Sequence, residues 1–225
     1  MTRTILITLI SAFILSLGGT TMSLADPDES IQLPDPSLES QNSIEEMLAS
    51  RRSVRDYADR ALTLDEISQV LWAAQGITNE RGFRTAPSAG ALYPLVLNLV
   101  VENVEGLTDG VWEYSPEGHT ISLVIEGTLL GDLSEAALGQ SPVSDASAVL
   151  VITAIPEITR ARYGDRTMRY VDQEVGCVCQ SVYLQCESLG LGTVAIGAFY
   201  DDDVAGIINT NAEPRLLMPI GATGE

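Results

Sequence analysis

The pattern of apolar and polar positions along the chain predicts several β-strands. Residues 95–102 and 148–154 are almost continuously apolar and rich in β-branched side chains, which is typical of buried strands. Residues 111–114 and 119–125 flank a turn of Ser, Pro, Glu and Gly, and this arrangement indicates a β-hairpin. Two further strands are predicted at residues 193–199 and 216–221, the second with Pro219 as a sign of an edge position.

Helical periodicity occupies the segments between these strands. Ser43 followed by acidic residues starts one helix, and Thr63 with Glu66 forms a capping box that starts another, which ends at Gly76. Other helices are expected at residues 129–138, 167–189 and 201–208. Helices and strands alternate, but the hairpin interrupts a regular βαβ pattern. The sequence therefore predicts an α+β fold with a mixed sheet.

The first 43 residues differ from the rest of the chain. One arginine precedes a nearly unbroken apolar run at residues 5–17, and Ser23 and Ala25 are small residues suited to a cleavage site. We therefore expect residues 1–25 to be a signal peptide or, if uncleaved, an N-terminal membrane anchor of an exported protein. Residues 26–43 are rich in Asp, Glu, Pro and Ser and predict an exposed linker, so the folded domain is expected to span residues 44–225.

The charge of the chain is strongly negative, with 31 acidic residues against 12 basic ones and a formal net charge of −19. A field of this sign opposes binding to nucleic acids and to anionic membrane surfaces. Every basic residue is an arginine. The positions that keep an arginine are therefore the informative charges.

The cysteines and the single histidine do not predict a metal site. Cys177, Cys179 and Cys186 fall within one predicted helix, and a second pair of ligands is missing. We expect the cysteines to be small apolar side chains without disulfides. His119 starts a hairpin strand, where a structural role is expected, and it leaves a Ser–His–Asp hydrolase without its histidine.

Two groups of arginines stand out. Arg51, Arg52 and Arg55 surround Ser53, and this combination of planar guanidinium groups with a hydroxyl group suits a phosphate. A helix C-terminus also attracts cations and would account for one or two of them. The second group comprises Arg160, Arg162, Arg166 and Arg169.

Residues 85–94 contain small side chains between two prolines. Such a loop is a poor helix and a poor strand, and it forms either a simple turn or a surface where backbone amides approach a flat ligand closely.

Three motifs in this order resemble the flavin-dependent nitroreductase family. They are Arg51-Arg52-Ser53-Val54-Arg55, then residues 86–94, then Glu174-Val175-Gly176 followed by Leu189-Gly190-Leu191-Gly192 and Ile196-Gly197. The nearer likeness is to the subgroup that oxidises thiazoline and oxazoline rings in modified peptides. The resemblance covers roughly residues 44–221.

This resemblance implies a mainly antiparallel sheet flanked by helices in an intertwined homodimer, with one FMN at each of two subunit interfaces. Arg51, Arg52, Ser53 and Arg55 would hold the phosphate, the ribityl chain and the N1/O2 edge of the flavin. The partner subunit would supply Pro87, Ser88, Ala89 and Gly90 as a wall of the ring. Residues beside the ring would be Ala195, Ile196, Gly197 and Ala198, with a backbone amide near flavin N5.

The resemblance also implies hydride transfer through flavin N5, to or from a small organic or peptide-derived substrate. Cys177 stands where relatives often have histidine, and Arg169-Tyr170 is the nearest equivalent of a lysine–tyrosine pair in the peptide-ring oxidases. Arg169 cannot act as a general base, so Tyr170 is the candidate for proton delivery, with ordinary packing as its alternative. The other function considered is an exported flavin- or ligand-binding protein of the same fold without turnover. It is motivated by these substitutions and by a sequence that stops at Glu225, before a basic C-terminal tail.

Overall fold

The computed structural model describes Ser23–Leu24 and residues 30–224. The strands are β1 (Ser23–Leu24), β2 (Ser30–Gln32), β3 (Leu95–Val101), β4 (Gly110–Ser115), β5 (Thr120–Glu126), β6 (Ala148–Ala154), β7 (Leu191–Thr193) and β8 (Glu213–Ala222). The helices are α1 (Ile44–Ser50), α2 (Leu64–Gln75), α3 (Leu130–Ala136), α4 (Ser141–Ser144), α5 (Pro156–Tyr163), α6 (Thr167–Ser188) and α7 (Asp201–Ile207).

The strands form one sheet in the order β1-β5-β4-β3-β6-β8-β7, with β2 also paired to β5. Every described strand pairing is antiparallel, and a parallel contact occurs only as the isolated bridge between Leu62 and Val104. The α+β prediction with a mainly antiparallel sheet is confirmed. Among the described helices, none has both the length and the apolar content needed to cross a membrane.

Helices cover both faces of the sheet because successive side chains of a strand point to opposite faces. In β3, Leu97 and Leu99 pack into the core beneath α2 and α6, whereas Val100 packs into a second core beneath α3 and α7. The central strands β3 and β6 are buried on both faces, which explains their nearly continuous apolar sequences.

Local capping signals fixed the first two helices. Ser43 caps α1 and Thr63 caps α2, each in a reciprocal capping box with the glutamate three residues later. The predicted hairpin is present as β4 and β5, and the predicted longest helix is α6. Helices α4 and α5 were not predicted. Each is short and begins with a proline at its first turn.

The prediction of an exposed linker at residues 26–43 is wrong for residues 30–34, whereas residues 37–43 are exposed. Ser30–Gln32 pairs with β5, and the Leu33 side chain is only 2% exposed. His119 holds this segment, since its Nε2 atom lies 2.9 Å from the Pro34 carbonyl oxygen and 2.8 Å from Ser68 Oγ. The chain therefore joins the domain by residue 30. The polar composition of residues 26–43 gave no indication that the two apolar residues Ile31 and Leu33 would pack at the edge of the sheet.

The predicted signal peptide lies outside the described residues, except for Ser23–Leu24. The backbone of these two residues pairs with Ile125 and Glu126 of β5.

Two predictions about the last strands are also corrected. Regular pairing in β7 ends at Thr193, and residues 194–199 leave the sheet except for a bridge between Ile196 and Leu217. Strand β8 lies between β6 and β7, so Pro219 is not on an edge strand. Pro219 is tolerated because it lies just before the residues that pair with β7, Ile220–Ala222 in β8.

Candidate functional site

The segment after α1 carries the first arginine group and runs along the end of β7. The Val54 amide donates a hydrogen bond of 2.9 Å to the Thr193 carbonyl oxygen. A Cβ atom on Gly192 would lie 2.6 Å from the Val54 side chain, and one on Gly221 would lie 2.5 Å from the Tyr57 ring. Both glycines are therefore needed to let residues 51–57 lie flat against the sheet.

Tyr183 of α6 joins two of the predicted motifs. Its hydroxyl group lies 2.9 Å from Ser53 Oγ and accepts a hydrogen bond of 2.8 Å from the Ala195 amide. The Tyr183 ring also lies under the Arg51 guanidinium group, 4.9 Å from the ring centroid to Cζ. Residues from the first and third motifs thus meet at one buried phenol.

The three arginines of the first group differ in their surroundings. Arg52 donates to the carbonyl oxygens of Ala49, Ser50 and Arg51, so it satisfies the end of α1. This is the helix-terminus alternative considered from the sequence. Within the described part of the chain, Arg51, Arg52 and Arg55 form no ion pair with a carboxylate. Arg51 and Arg55 therefore remain available to an anion.

Residues 195–198 present their backbone beside the contact of Tyr183 with Ser53 and Ala195, which we call the arginine junction. Ala195, Gly197 and Ala198 are exposed, while Ile196 is buried and fixed by hydrogen bonds to Leu217. No atom lies within 4 Å of the position that a Cβ atom on Gly197 would occupy. The segment is anchored at one residue and open on its other side.

The loop at residues 87–90 has a defined conformation of its own. Ser88 Oγ accepts a hydrogen bond of 2.9 Å from the Tyr93 amide, and Gly90 has a φ of 65°. A Cβ atom on Gly90 would lie 2.7 Å from Nη1 of Arg162 and 2.9 Å from the Tyr163 hydroxyl group. Glycine is required at position 90 by the backbone and by these two neighbours, without reference to a ligand.

A buried polar network supports this loop from below. The Glu174 side chain is 3% exposed, and its Oε1 atom accepts a hydrogen bond of 3.4 Å from Gln75. Ser88 lies close enough to this carboxyl group to influence its pKa. Gln75 accepts from Arg84, which also pairs with Glu117 at 3.1 Å. Burial raises the pKa of Glu174, and hydrogen bonds from Ser88 and Gln75 oppose this rise.

The loop and the arginine junction are separated within one chain. Glu174, beneath the loop, and Tyr183, at the junction, lie nine residues apart on α6, which corresponds to about 14 Å along the helix axis. The structure therefore brings residues 51–55 and 195–198 together. Residues 87–90 lie elsewhere, near a different part of α6.

The predicted catalytic pair, Arg169 and Tyr170, lies in the first turn of α6. The Arg169 side chain is exposed, and the Tyr170 ring packs against Tyr163 with centroids 4.7 Å apart. At the loop itself stand Arg162 and Tyr163. Tyr170 therefore contacts the loop region through Tyr163.

The sequence analysis missed four residues that organise these sites: Tyr183, Glu174, Arg162 and Tyr163. Arg162 belongs to the second arginine group, which was noted without a role. Glu174 belongs to the third motif, and its position on the buried face of the helix is the signal that could have identified it. Tyr183 offered no local signal, because its partners are 130 and 12 residues away.

Comparisons with known proteins identify the family of the chain. The family model described as the nitroreductase family matches residues 48–222. A protein of Methanocaldococcus jannaschii that carries the provisional name of a nitroreductase is 48% identical over 191 residues, covering 85% of this chain and 95% of the relative.

Two solved structures have the same fold. A provisionally named nitroreductase of Ralstonia eutropha has a TM-score of 0.76 at 24% identity and covers 90% of this chain and 93% of its own. The NADPH:FMN oxidoreductase of Vibrio harveyi, complexed with NAD+, has a TM-score of 0.57 at 17% identity, with 80% and 69% covered. The chain therefore belongs to the nitroreductase family.

Proposed function

We propose that this protein is an FMN-dependent oxidoreductase that binds the flavin between the arginine segment and residues 195–198. The observation that carries this proposal is the shared hydroxyl group of Tyr183, which holds Ser53 and the Ala195 amide in one place. The family membership of the chain supports an oxidoreductase. The Vibrio harveyi protein of the same fold is an NADPH:FMN oxidoreductase, which supports this choice of cofactor.

The residues present fit a flavin mononucleotide in kind. Arg51 and Arg55, without a carboxylate partner among the described residues, supply charge for the phosphate. Ser53 supplies a hydroxyl group, and the open side of Gly197 admits a flat ring against the backbone. When bound, FMN supplies the chemistry of accepting and donating a hydride.

The protein's own contribution is to position and shield this group. Ile196 is fixed to β8 by two backbone hydrogen bonds, so the amides next to it are held rigidly. Tyr183 is buried and fixes the Ala195 amide in the same way. We place residues 87–90 at the flavin of a partner subunit, since about 14 Å of α6 separates them from the junction in their own chain.

A homodimer is part of this proposal, and α1 supports it. No residue of α1 is buried, and Ile44 and Leu48 are exposed on one side of the helix. Leu38 is also exposed, and Leu38 and Ile44 line a groove of about 760 Å³ between residues 35–47, α2 and α6. Covering apolar surface of this kind with a second copy of the chain lowers the free energy of the assembly.

The test is flavin retention by the purified full chain. The protein is incubated with FMN, separated from unbound flavin, and its visible spectrum is recorded. We expect a bound-flavin spectrum, and we expect Arg51→Gln to weaken FMN binding by at least about tenfold, because a charge-assisted bond to phosphate is lost. Arg81→Gln is the matched control, because Arg81 is exposed and its recorded hydrogen bond is from its backbone amide to Asn79. Failure of the wild type to retain FMN would refute the proposal.

Turnover is tested on the loaded protein by anaerobic addition of NADH, NADPH and small organic hydride donors. Bleaching of the flavin by any of them supports an oxidoreductase. A loaded protein that none of them reduces supports instead the binding protein without turnover. The placement of Tyr170 behind Tyr163 is the observation that favours testing this second function.

We also propose that the protein is exported, on the basis of the apolar run at residues 5–17 and the small residues before position 26. Mass spectrometry of the N-terminus of the protein from an exporting host checks this. A protein whose N-terminal residue is Asp26 supports cleavage. A protein that retains residue 1 and is found in the membrane fraction supports an anchor. An intact residue 1 in the cytoplasmic fraction contradicts export.

A further inference from the structure

The second arginine group reaches the loop of residues 87–90 through Arg162, and the proposed function assigns no role to these arginines. It occupies the end of α5, the following turn and the start of α6, with Arg162, Arg166 and Arg169 all exposed. Residues 156–172 contain four arginines and three carboxylates, in a chain whose formal net charge is −19. This is therefore a locally cationic surface on a strongly anionic protein.

Most other arginines of the domain have structural partners. Arg60 pairs with Glu66, Arg84 with Glu117, and Arg215 with Asp172, while Arg52 binds helix carbonyl groups. In the second group, Arg160 pairs with Glu157 at 3.7 Å. Among the described residues, Arg162, Arg166 and Arg169 have neither an ion pair nor a hydrogen bond from their guanidinium groups. Of the three carboxylates in residues 156–172, Glu157 and Asp172 form ion pairs and Asp165 forms none with the described residues.

The position of Arg162 connects this surface to the loop. Its Nη1 atom lies 2.7 Å from where a Gly90 Cβ atom would be, and its Cζ atom lies 5.6 Å from the centroid of the Tyr163 ring. The Tyr163 ring is itself supported by Tyr170. An aromatic layer thus holds one guanidinium group over the loop, with a hydroxyl group beside it.

We propose that Arg162, together with Arg166 and Arg169, binds an anionic group of the substrate, a carboxylate or a phosphate, next to the loop of residues 87–90. The inference rests on the proposed function in one respect, namely that this loop faces the ring of a flavin. A substrate held there by its anionic group would place its remaining part toward the loop. The arginines act by binding and orienting, and no proton transfer is assigned to them.

The experiment compares two probes of nearly equal shape. 4-Nitrobenzoate carries a carboxylate and 4-nitrobenzamide is its neutral isostere; 4-nitrophenyl phosphate distinguishes phosphate from carboxylate. Their affinities for the FMN-loaded full chain are measured from the change in the flavin spectrum. We expect the anionic probe to bind more tightly than the amide, and this preference to weaken with salt.

Arg162→Gln is expected to reduce the ratio of the two affinities by about 10- to 100-fold, as expected for a lost charge-assisted hydrogen bond. Arg162→Lys should restore part of it, and Arg81→Gln should leave it unchanged. Arg169→Gln provides a second variant at an exposed position if Arg162→Gln folds poorly. An equal loss of affinity for both probes, or an unchanged ratio, would overturn the proposal.

Two results separate this inference from neighbouring explanations. If the wild type takes up no FMN, calorimetry of 4-nitrobenzoate and 4-nitrobenzamide on the unloaded chain still tests the arginines, while the proposed function fails. If Arg162→Gln combined with Arg169→Gln converts a dimer to a monomer in light scattering, the patch binds a second copy of the chain, and a substrate site is overturned.

Discussion

Ser53 Oγ lies 2.9 Å from the hydroxyl group of Tyr183, although the two residues are 130 positions apart. The same hydroxyl group accepts a hydrogen bond from the Ala195 amide, so one buried phenol holds the arginine segment and the end of β7 in register. This contact explains why residues 51–55 and residues 195–198 are neighbours, and it is the first place to test the proposed flavin site.

Tyr183→Phe should weaken FMN binding by about tenfold and lower the free energy of unfolding by about 1 kcal/mol. The Ala195 amide and the Ser53 hydroxyl group lose a shared partner, while the ring remains to fill its space. FMN titration and denaturant unfolding measure the two effects. The control is Tyr114→Phe, which removes the 2.9 Å hydrogen bond to His119 Nδ1 away from the site. We expect it to reduce stability similarly and to leave FMN affinity unchanged, and equal FMN affinities of the two variants would refute the role of Tyr183.

Gly197→Leu should fold normally and lose FMN binding. The space where its side chain would begin is empty within 4 Å, and its backbone does not require glycine by a positive φ. We propose that the flavin ring uses this space, so a bulky side chain would exclude the ring. The comparison variant is Gly206→Leu on α7, which is also exposed with nothing within 4 Å. Retention of FMN by Gly197→Leu would contradict the placement of the ring.

The family resemblance also places Gly90 beside the flavin ring, but Gly90 is less suitable than Gly197 for testing flavin exclusion by a bulky side chain. Its φ of 65° and the closeness of Arg162 and Tyr163 mean that any side chain there disturbs the loop itself. Loss of flavin in a Gly90 variant would therefore report loop damage as readily as a blocked ring.

Glu174→Gln should become progressively more stable than the wild type as the pH rises. Burial raises the pKa of Glu174 above its ordinary value of 4.5, so folding favours the protonated carboxyl group. The stability that this group contributes is complete below about pH 4.5 and is lost as the pH rises through the folded-state pKa. Glutamine keeps the neutral form at every pH.

The measurement is denaturant unfolding of both proteins at several pH values from about 4.5 to 8. Glu113→Gln, at an exposed position on β4, corrects for the general removal of one negative charge. If the difference between Glu174→Gln and the wild type does not change with pH beyond this control, the neutral buried carboxyl group is refuted.

His119→Ala should loosen residues 30–34. The imidazole ring bonds to the Pro34 carbonyl oxygen and to Ser68, and a methyl group replaces neither contact. We expect faster hydrogen exchange of the Ile31 and Leu33 amides and a loss of about 1–3 kcal/mol in the free energy of unfolding. Glu113→Ala, on the neighbouring strand, should change neither. Unaltered exchange in the His119 variant would restore the interpretation of these residues as a free linker.

Much of the fold was predictable because its signals are local. Ser43 and Thr63 fixed the starts of α1 and α2, since a capping box involves residues only three positions apart. Residues 95–102 and 148–154 were recognised as strands because both of their faces are buried. The strand prediction at 193–199 failed because its apolar residues serve an anchor at Ile196 rather than a continuous ladder.

The candidate site was predictable only in its parts. The arginines, the serine and the small residues were identified from their types and spacing. The sequence pointed to the pair Arg169-Tyr170, whereas Arg162 and Tyr163 are the residues next to Gly90. Position relative to Gly90 separates the two pairs, and that position depends on how α5 packs against the loop.

The sequence by itself determined the α+β class, the caps of the first helices and the arginine and small-residue segments, because these depend on short-range periodicity and residue chemistry. Only the tertiary structure decided that Tyr183 joins Ser53 to Ala195, that Glu174 is buried and bonded to Gln75, and that Ser30–Gln32 belongs to the sheet. These contacts join residues far apart in the chain. Their energies come from burial and from satisfied hydrogen bonds, which arise once the helices pack on the sheet.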